Sequence, residues 1–363
     1  MEFDRQKLEQ IDSELERSQS WLEQISEQME KLPAQGSPSP AIIPPSSPQR
    51  KSILFYRDYG GLTGGHLKVW DYFNHILHSQ DYLPQIYFSP ESAIDANNPW
   101  FNIDKELILS KPLSDPQIIF MDGMDWEFLP ATQRHNSPIP IINLIQHIRH
   151  VYPDNPRYQF LNHKAIRICV SPEVGTYLAE SRQVNGPVFI IPNGLDTSSF
   201  PEPRPDPQRD IEILISALKQ PELGEQLQQR LAGMGYGVQL LTSLIPRRDY
   251  LQYLNRAKMT ILLPNREEGE GFYLPALEAM AMGTLTICPD CIGNRCFCFP
   301  GYNCLRPKYT VEGLLEAIKE AIVFSEVRKS LVKKAAFQTV AEHGLIKERT
   351  AFMEILNHLD DLW

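Results

Sequence analysis

Residues 259–283 read MTILLPNREEGEGFYLPALEAMAMG. The opening MTILLPN is a short apolar run of the kind that forms a parallel strand buried on both faces. A small acidic loop follows, and then Leu274, Leu277, Met280 and Ala281 recur at helical spacing. The loop therefore sits at a strand's carboxyl end and runs into a helix. Pro275 suits the first helical turn, where a missing N–H costs nothing, so the amides of residues 271 to 275 are expected to lack intrahelical acceptors. With about half a positive charge from the helix dipole, those amides would form a site for an anion such as a diphosphate. Glu278 lies about one turn inside the helix, placed to accept hydrogen bonds from hydroxyls of whatever carries that phosphate. Glu270 stands at the loop's other lip.

Glu270 and Glu278, separated by seven residues in EGEGFYLPALEAMAMG, resemble the E-x7-E signature of retaining glycosyltransferases with the GT-B fold. This is the group 1 (family 4) class, which uses nucleotide sugars. The resemblance implies that Glu278 binds the nucleotide ribose. It implies too that Glu270 is catalytic and, with the backbone of Gly271, Phe272 and Tyr273, holds the donor sugar and its diphosphate. Tyr273 replaces the usual second glycine of that loop, and its side chain is expected to narrow the sugar pocket.

Other segments extend the resemblance over residues 51–363. An apolar strand at residues 53–56 leads through Gly60, Gly61, Gly64 and Gly65 into an amphipathic helix carrying Leu67, Trp70, Phe73 and Leu77. Glycines there let a backbone approach a ligand, although the G-x-G-x-x-G spacing and the P-loop lysine are missing. The stretch resembles the family's GG loop, which implies that Gly64 and Gly65 reach toward donor phosphate and acceptor. The run at residues 139–145 ends near His147, and a second strand enters Ser171-x-Glu173. Both features resemble the family, making His147 the candidate for the histidine that contacts the donor sugar, with His150 and His163 as competitors. PVFIIPNGLDTSSF, residues 187–200, is similar to the family's crossing between domains, and Asn193 and Gly194 suit a turn there. After the next strand, Ala217 and Leu218 stand where relatives carry Gly-Arg, and Lys219 follows at once. Lys219 is the candidate diphosphate cation; Arg247, Arg248 and Arg266 are also open for that role.

The chain has 363 residues, 42% of them hydrophobic, enough for two substantial cores. A net charge of −10 argues against a general nucleic-acid surface. No apolar run approaches the ~20 residues needed to span a bilayer, and the acidic amino terminus lacks a signal-peptide pattern. A cytoplasmic location is expected, with peripheral contact to a membrane carrying a lipid-linked acceptor left open. Five of the six cysteines, Cys288, Cys291, Cys296, Cys298 and Cys304, fall within seventeen residues. Their spacing does not repeat a paired C-x2-C, so buried, reduced thiols are expected and not a zinc site. Asp122 and Asp125 do not form the D-x-D pair of metal-dependent transferases.

Leu8, Ile11, Leu15, Leu22, Ile25, Met29 and Leu32 occupy a and d positions of heptads interrupted at Ser18. They predict a short coiled coil over residues 1–32 that makes a homo-oligomer through residues 8–32; a helix docking on the enzyme is the rival reading. Residues 33–50 are a proline- and serine-rich linker. The expected fold class is α/β GT-B: Rossmann-like domains at 51–200 (acceptor side) and 201–345 (donor side) face each other across a cleft, and a helix at 346–363 crosses back. The implied reaction moves a sugar from a nucleoside diphosphate sugar to a glycan or lipid-linked acceptor, with retained configuration and no cofactor or metal. A sugar-nucleotide epimerase, or an inactive nucleotide-sugar sensor or scaffold, is the alternative.

Overall fold

In the computed structural model, which describes residues 50–363, the apolar runs become two parallel sheets. The expected coiled coil at residues 8–32 and the linker up to Gln49 lie outside the described residues. The first sheet is built from β1 (Lys51–Arg57), β2 (Tyr82–Phe88), β3 (Ile108–Leu109), β4 (Ile118–Asp122), β5 (Ile141–Ile145), β6 (Ile166–Cys169) and β7 (Val188–Ile190). Their spatial order is β3-β2-β1-β4-β5-β6-β7, and every pairing is parallel. The second sheet takes β8 (Ile211–Ser216), β9 (Val238–Leu241), β10 (Ala257–Leu262) and β11 (Leu285–Ile287) in the order β11-β10-β8-β9, again all parallel.

Burial explains why these segments read as continuous apolar runs. Every residue of β4 and β5 is buried, because helices cover both faces of a parallel sheet. The edge strand β7 instead exposes Val188 and Ile190. Strand order reverses between β1 and β4 in the first sheet and between β8 and β10 in the second. Ligands of doubly wound sheets bind at the carboxyl ends of such strand pairs. Both of the singled-out loops, after β1 and after β10, leave from these points.

The chain crosses between the sheets twice, and the two crossings touch. The Leu195 N–H donates to His343 O at 2.7 Å. A Cβ added to Gly194 would stand 3.0 Å from Leu345 Cα, so a larger residue would enter only by shifting the facing backbone. The helix Leu345–Asn357 then packs on the first sheet, with Phe352 buried against Tyr72 and Phe120. Next to this crossing lies a fully enclosed charge cluster. Lys68 Nζ, from the helix Gly64–Leu77, meets Asp71 at 2.7 Å, Glu348 at 2.6 Å and the Gly194 carbonyl at 3.0 Å. The other Glu348 oxygen meets His75 Nε2 at 2.8 Å.

Removing one member of such a cluster leaves the others charged in a poor solvent. Glu348→Ala should therefore destabilise the protein by about 3–5 kcal/mol in urea unfolding at neutral pH. Burial opposes the Glu348 charge, but Lys68 and His75 outweigh it and hold the carboxyl below its ordinary value. The contribution is thus complete above the unfolded carboxylate range and is lost as pH falls through the folded value, so the gap between wild type and variant should close in acid. A difference below about 1 kcal/mol at neutral pH would contradict the assignment.

Candidate functional site

Lys219 follows β8 and the acidic loop follows β10, so the switch point of the second sheet brings them together. Lys219 Nζ donates to both Glu270 oxygens, at 2.7 and 2.8 Å. Glu270 Oε1 also accepts the Asn265 N–H at 2.9 Å. The carboxylate is buried, while the lysine side chain is 50% exposed. Gly269, at φ +70°, provides the left-handed step that turns Glu270 inward.

Gly271 is the seam between the domains. A Cβ there would lie 1.9 Å from the Gln146 carbonyl oxygen and 3.0 Å from His147 Cα, at the end of β5. The backbone of the loop is thereby pressed against the first domain. The expected row of free amides at residues 271 to 275 is only partly present: Tyr273 N–H donates to Gly293 O at 2.8 Å and Leu274 N–H to Phe272 O at 3.1 Å. A loop from beyond β11 has taken one donor and a tight turn another. Gly271 and Phe272 keep amides without a backbone acceptor among the described residues. Phe272 turns its ring down onto Phe297 and His343, at centroid distances of 4.8 and 5.6 Å. Tyr273 was expected to narrow the sugar pocket, but its ring is buried in the core, where burial and then Tyr250 push its hydroxyl well above the ordinary value.

Glu278 lies within the helix Leu274–Ala281 and is buried. Burial pushes its carboxyl up, opposed by Arg247, whose Nε donates to Oε1 at 2.9 Å. The second carboxylate oxygen has no protein partner among the described residues, leaving one acceptor for a ligand hydroxyl. Arg247 rests its other face on Phe200, 5.1 Å from the ring centroid. Of the three arginines open for the cation role, it is therefore the one fixed beside Glu278. The contact is legible only in three dimensions, since the two residues come from different helices.

The first domain closes the site. Gly64 begins its helix only 3.8 Å, from an added Cβ, from Leu274 Cδ1. Two helix amino termini thus meet at one place, with the amides of Gly64 and Gly65 on one side and those of Gly271 and Phe272 on the other left without a backbone acceptor among the described residues. Gln146 Nε2 donates to Gly65 O at 3.0 Å and to Asp122 Oδ2 at 2.9 Å. Sequence reading passed over Gln146, although it directly precedes the singled-out His147. His147 Nδ1 accepts the Arg149 N–H at 3.1 Å, so its Nε2–H donates to Gly269 O at 3.2 Å, across the seam. Burial, then Arg149, lower its pKa to about 4, and the ring stays neutral. Both ring nitrogens are engaged within the protein, so His147 here ties the two domains together. The competitors lie elsewhere: His150 is buried behind it, and His163 packs edge-on against Trp126.

Asp122 and Asp125 pair with Arg57 at 3.3 and 3.5 Å. The clustered thiols are free, four of the five are buried, and Asn294 Nδ2 donates to Cys288 Sγ at 3.3 Å. No helix among the described residues is long and apolar enough to cross a membrane.

Residues 198–323 match a family model described as glycosyl transferases group 1. No curated protein matches the chain. Among solved structures, sucrose-phosphate synthase from Thermosynechococcus elongatus is 15% identical with a TM-score of 0.66, covering 86% of this chain and 100% of its own. Anabaena HepE in complex with UDP-glucose is 13% identical with a TM-score of 0.65, over 84% and 99%. A glycosyltransferase from Rickettsia africae is 13% identical with a TM-score of 0.58, over 84% and 97%. At such identities the likeness concerns architecture: the chain has the GT-B fold, with a segment matching group 1 glycosyl transferases spanning its second sheet.

Proposed function

We propose that the chain is a retaining glycosyltransferase that moves a sugar from a nucleoside diphosphate sugar to an acceptor hydroxyl. The observation that carries this reading is the meeting of two helix amino termini, at Gly64 and near Phe272, beside Lys219 and the buried pair of glutamates. The group 1 match over residues 198–323 and the UDP-glucose in the HepE structure support it.

In this reading the donor diphosphate draws Lys219 away from Glu270 and lies against the amides of Gly64, Gly65, Gly271 and Phe272. The free Glu278 oxygen accepts a ribose hydroxyl, while Arg247 keeps that carboxylate charged and in place. Glu270, still held by the Asn265 N–H, faces the sugar. The leaving diphosphate oxygen takes the acceptor's proton on the same face, so no enzyme nucleophile forms. The protein's contribution is to stabilise charge growing on that oxygen, through fixed amides and one cation in a closed cleft.

A panel of UDP-, GDP- and ADP-sugars, followed by release of nucleoside diphosphate and by the anomeric proton signal of the product, tests the reaction. Lys219→Ala and Glu278→Ala should each weaken nucleotide-sugar binding by about 10- to 100-fold, the range of a charge-assisted hydrogen bond. Glu270→Ala should act mainly on turnover. Wild-type kinetics in all three variants, or a product of inverted configuration, would refute the proposal.

Closure depends on Gly271. Gly271→Ala forces a Cβ onto the Gln146 carbonyl and should lower turnover by about 100-fold while costing roughly 1–3 kcal/mol of stability, as overpacking usually does. Full activity with unchanged stability would show that the seam opens during catalysis.

A further inference from the structure

The first domain's side of the cleft holds positive charge that the donor site does not use. Arg157 is half-buried against Gly123, where an added Cβ would be 3.5 Å from Arg157 Nε. Its acceptor among the described residues is Asn155 Oδ1 at a long 3.5 Å, and no carboxylate lies within ion-pair distance. The nearby Asp122 and Asp125 are engaged by Arg57, and Asp122 by Gln146 as well. Burial, then the charge of Arg149, push the Arg157 guanidinium below its ordinary value despite those two carboxylates. Among the described residues, the one carboxylate that Arg149 reaches is an exposed Glu268, at 3.8 Å.

The same domain holds further buried guanidinium groups, Arg57 on Asp122 and Asp125 and Arg167 on the carbonyls of Phe160, Leu161 and His163. Among the described residues, Arg57 Nε and both Nε and Nη1 of the fully buried Arg167 are donors without a protein partner. His150, enclosed among these residues, is pushed well down by burial and then by Arg157, Arg149, His147 and Arg167. Through Asp122, Gln146 and Gly65 the cluster is continuous with the glycine loop, and both Lys219 and Arg157 act on His147.

We propose that Arg149 and Arg157 bind a phosphate carried by the acceptor, so that the sugar is transferred to a hydroxyl of a phosphorylated molecule. The proposal rests on the transferase reading and adds the acceptor's chemical class. A phosphate monoester carries close to two charges and three acceptor oxygens, enough to engage two guanidinium forks at once. The donor diphosphate stays with Lys219 across the seam, so each phosphate has its own cations.

Calorimetry with glucose 6-phosphate against glucose, and flotation with phosphatidic acid vesicles against phosphatidylcholine vesicles, tests this. Binding in the first arm assigns a soluble sugar phosphate and in the second a lipid phosphate; either supports the proposal. Arg157→Gln and Arg149→Gln should weaken that binding tenfold or more, Arg157→Lys should recover part of it, and Lys219→Ala should leave it intact, with near-UV circular dichroism showing that each variant is folded. Phosphorylated probes that bind no better than their neutral counterparts, or glutamine variants that bind like wild type, would overturn it. UDP-glucose titrated into the same samples separates the two readings. Nucleotide-sugar binding without phosphate discrimination refutes the acceptor class alone; phosphate binding without affinity for any nucleotide sugar refutes the transferase and this acceptor role together.

Discussion

The absence of a side chain at Gly271 is the constraint on which the cleft depends. With 1.9 Å between a hypothetical Cβ and the Gln146 carbonyl, no other residue lets the loop after β10 rest on the end of β5. That contact sets the distance between the two helix amino termini and brings His147 Nε2 to the Gly269 carbonyl. A backbone-to-backbone seam is suited to this, because side chains would add rotamer freedom where a fixed geometry is needed. It also explains the neutral His147: a ring enclosed in the seam with both nitrogens engaged gains nothing from a charge.

A second constraint lies beside the crossings. Lys68, Asp71, His75 and Glu348 are all buried, and a cluster of this kind is not a strong source of stability in itself, since an apolar replacement of the whole set often does as well. What it adds is direction. Lys68 has the Gly194 carbonyl within reach and Glu348 accepts the Gly194 N–H, so the peptide at the first crossing is read by groups from both domains. An apolar cluster would tolerate sliding of the helix Leu345–Asn357 along the first sheet, whereas these bonds hold one register. The hinge and the seam therefore fix the relation of the sheets from two separated points.

Much of this was legible in the sequence. The runs at residues 53–56, 139–145 and 259–265 had the apolar continuity that only a doubly covered parallel strand requires. The loops after them carried the glycines and carboxylates that the cleft brings together. What escaped was set by partners distant in the chain. The Tyr273 amide is taken by Gly293, which lies beyond the next strand of the sheet. Arg247 could be named as one of several cations, but its pairing with Glu278 depends on how two helices pack. Gln146 carries no signal of its own beyond its place at a strand end, and Arg149 and Arg157 sit in single 3-10 turns, Ile148–Val151 and Pro156–Phe160, too short for periodicity to register.

A net charge of −10 does not preclude the anion site proposed in the cleft, because the relevant distances differ. At physiological salt, exposed charges more than about 8 Å apart are largely screened, so the acidic outer surface contributes little to the potential within the cleft. Inside the cleft a few nearby groups decide the field: the two helix termini, and Arg149 with Arg157. Of the buried carboxylates, Glu278 faces Arg247, Asp122 and Asp125 share Arg57, and Glu270 faces Lys219, so none of them is paired with Arg149 or Arg157. An overall acidic chain can then repel nucleic acid at long range and still hold phosphate at short range, because the two properties are set on different length scales.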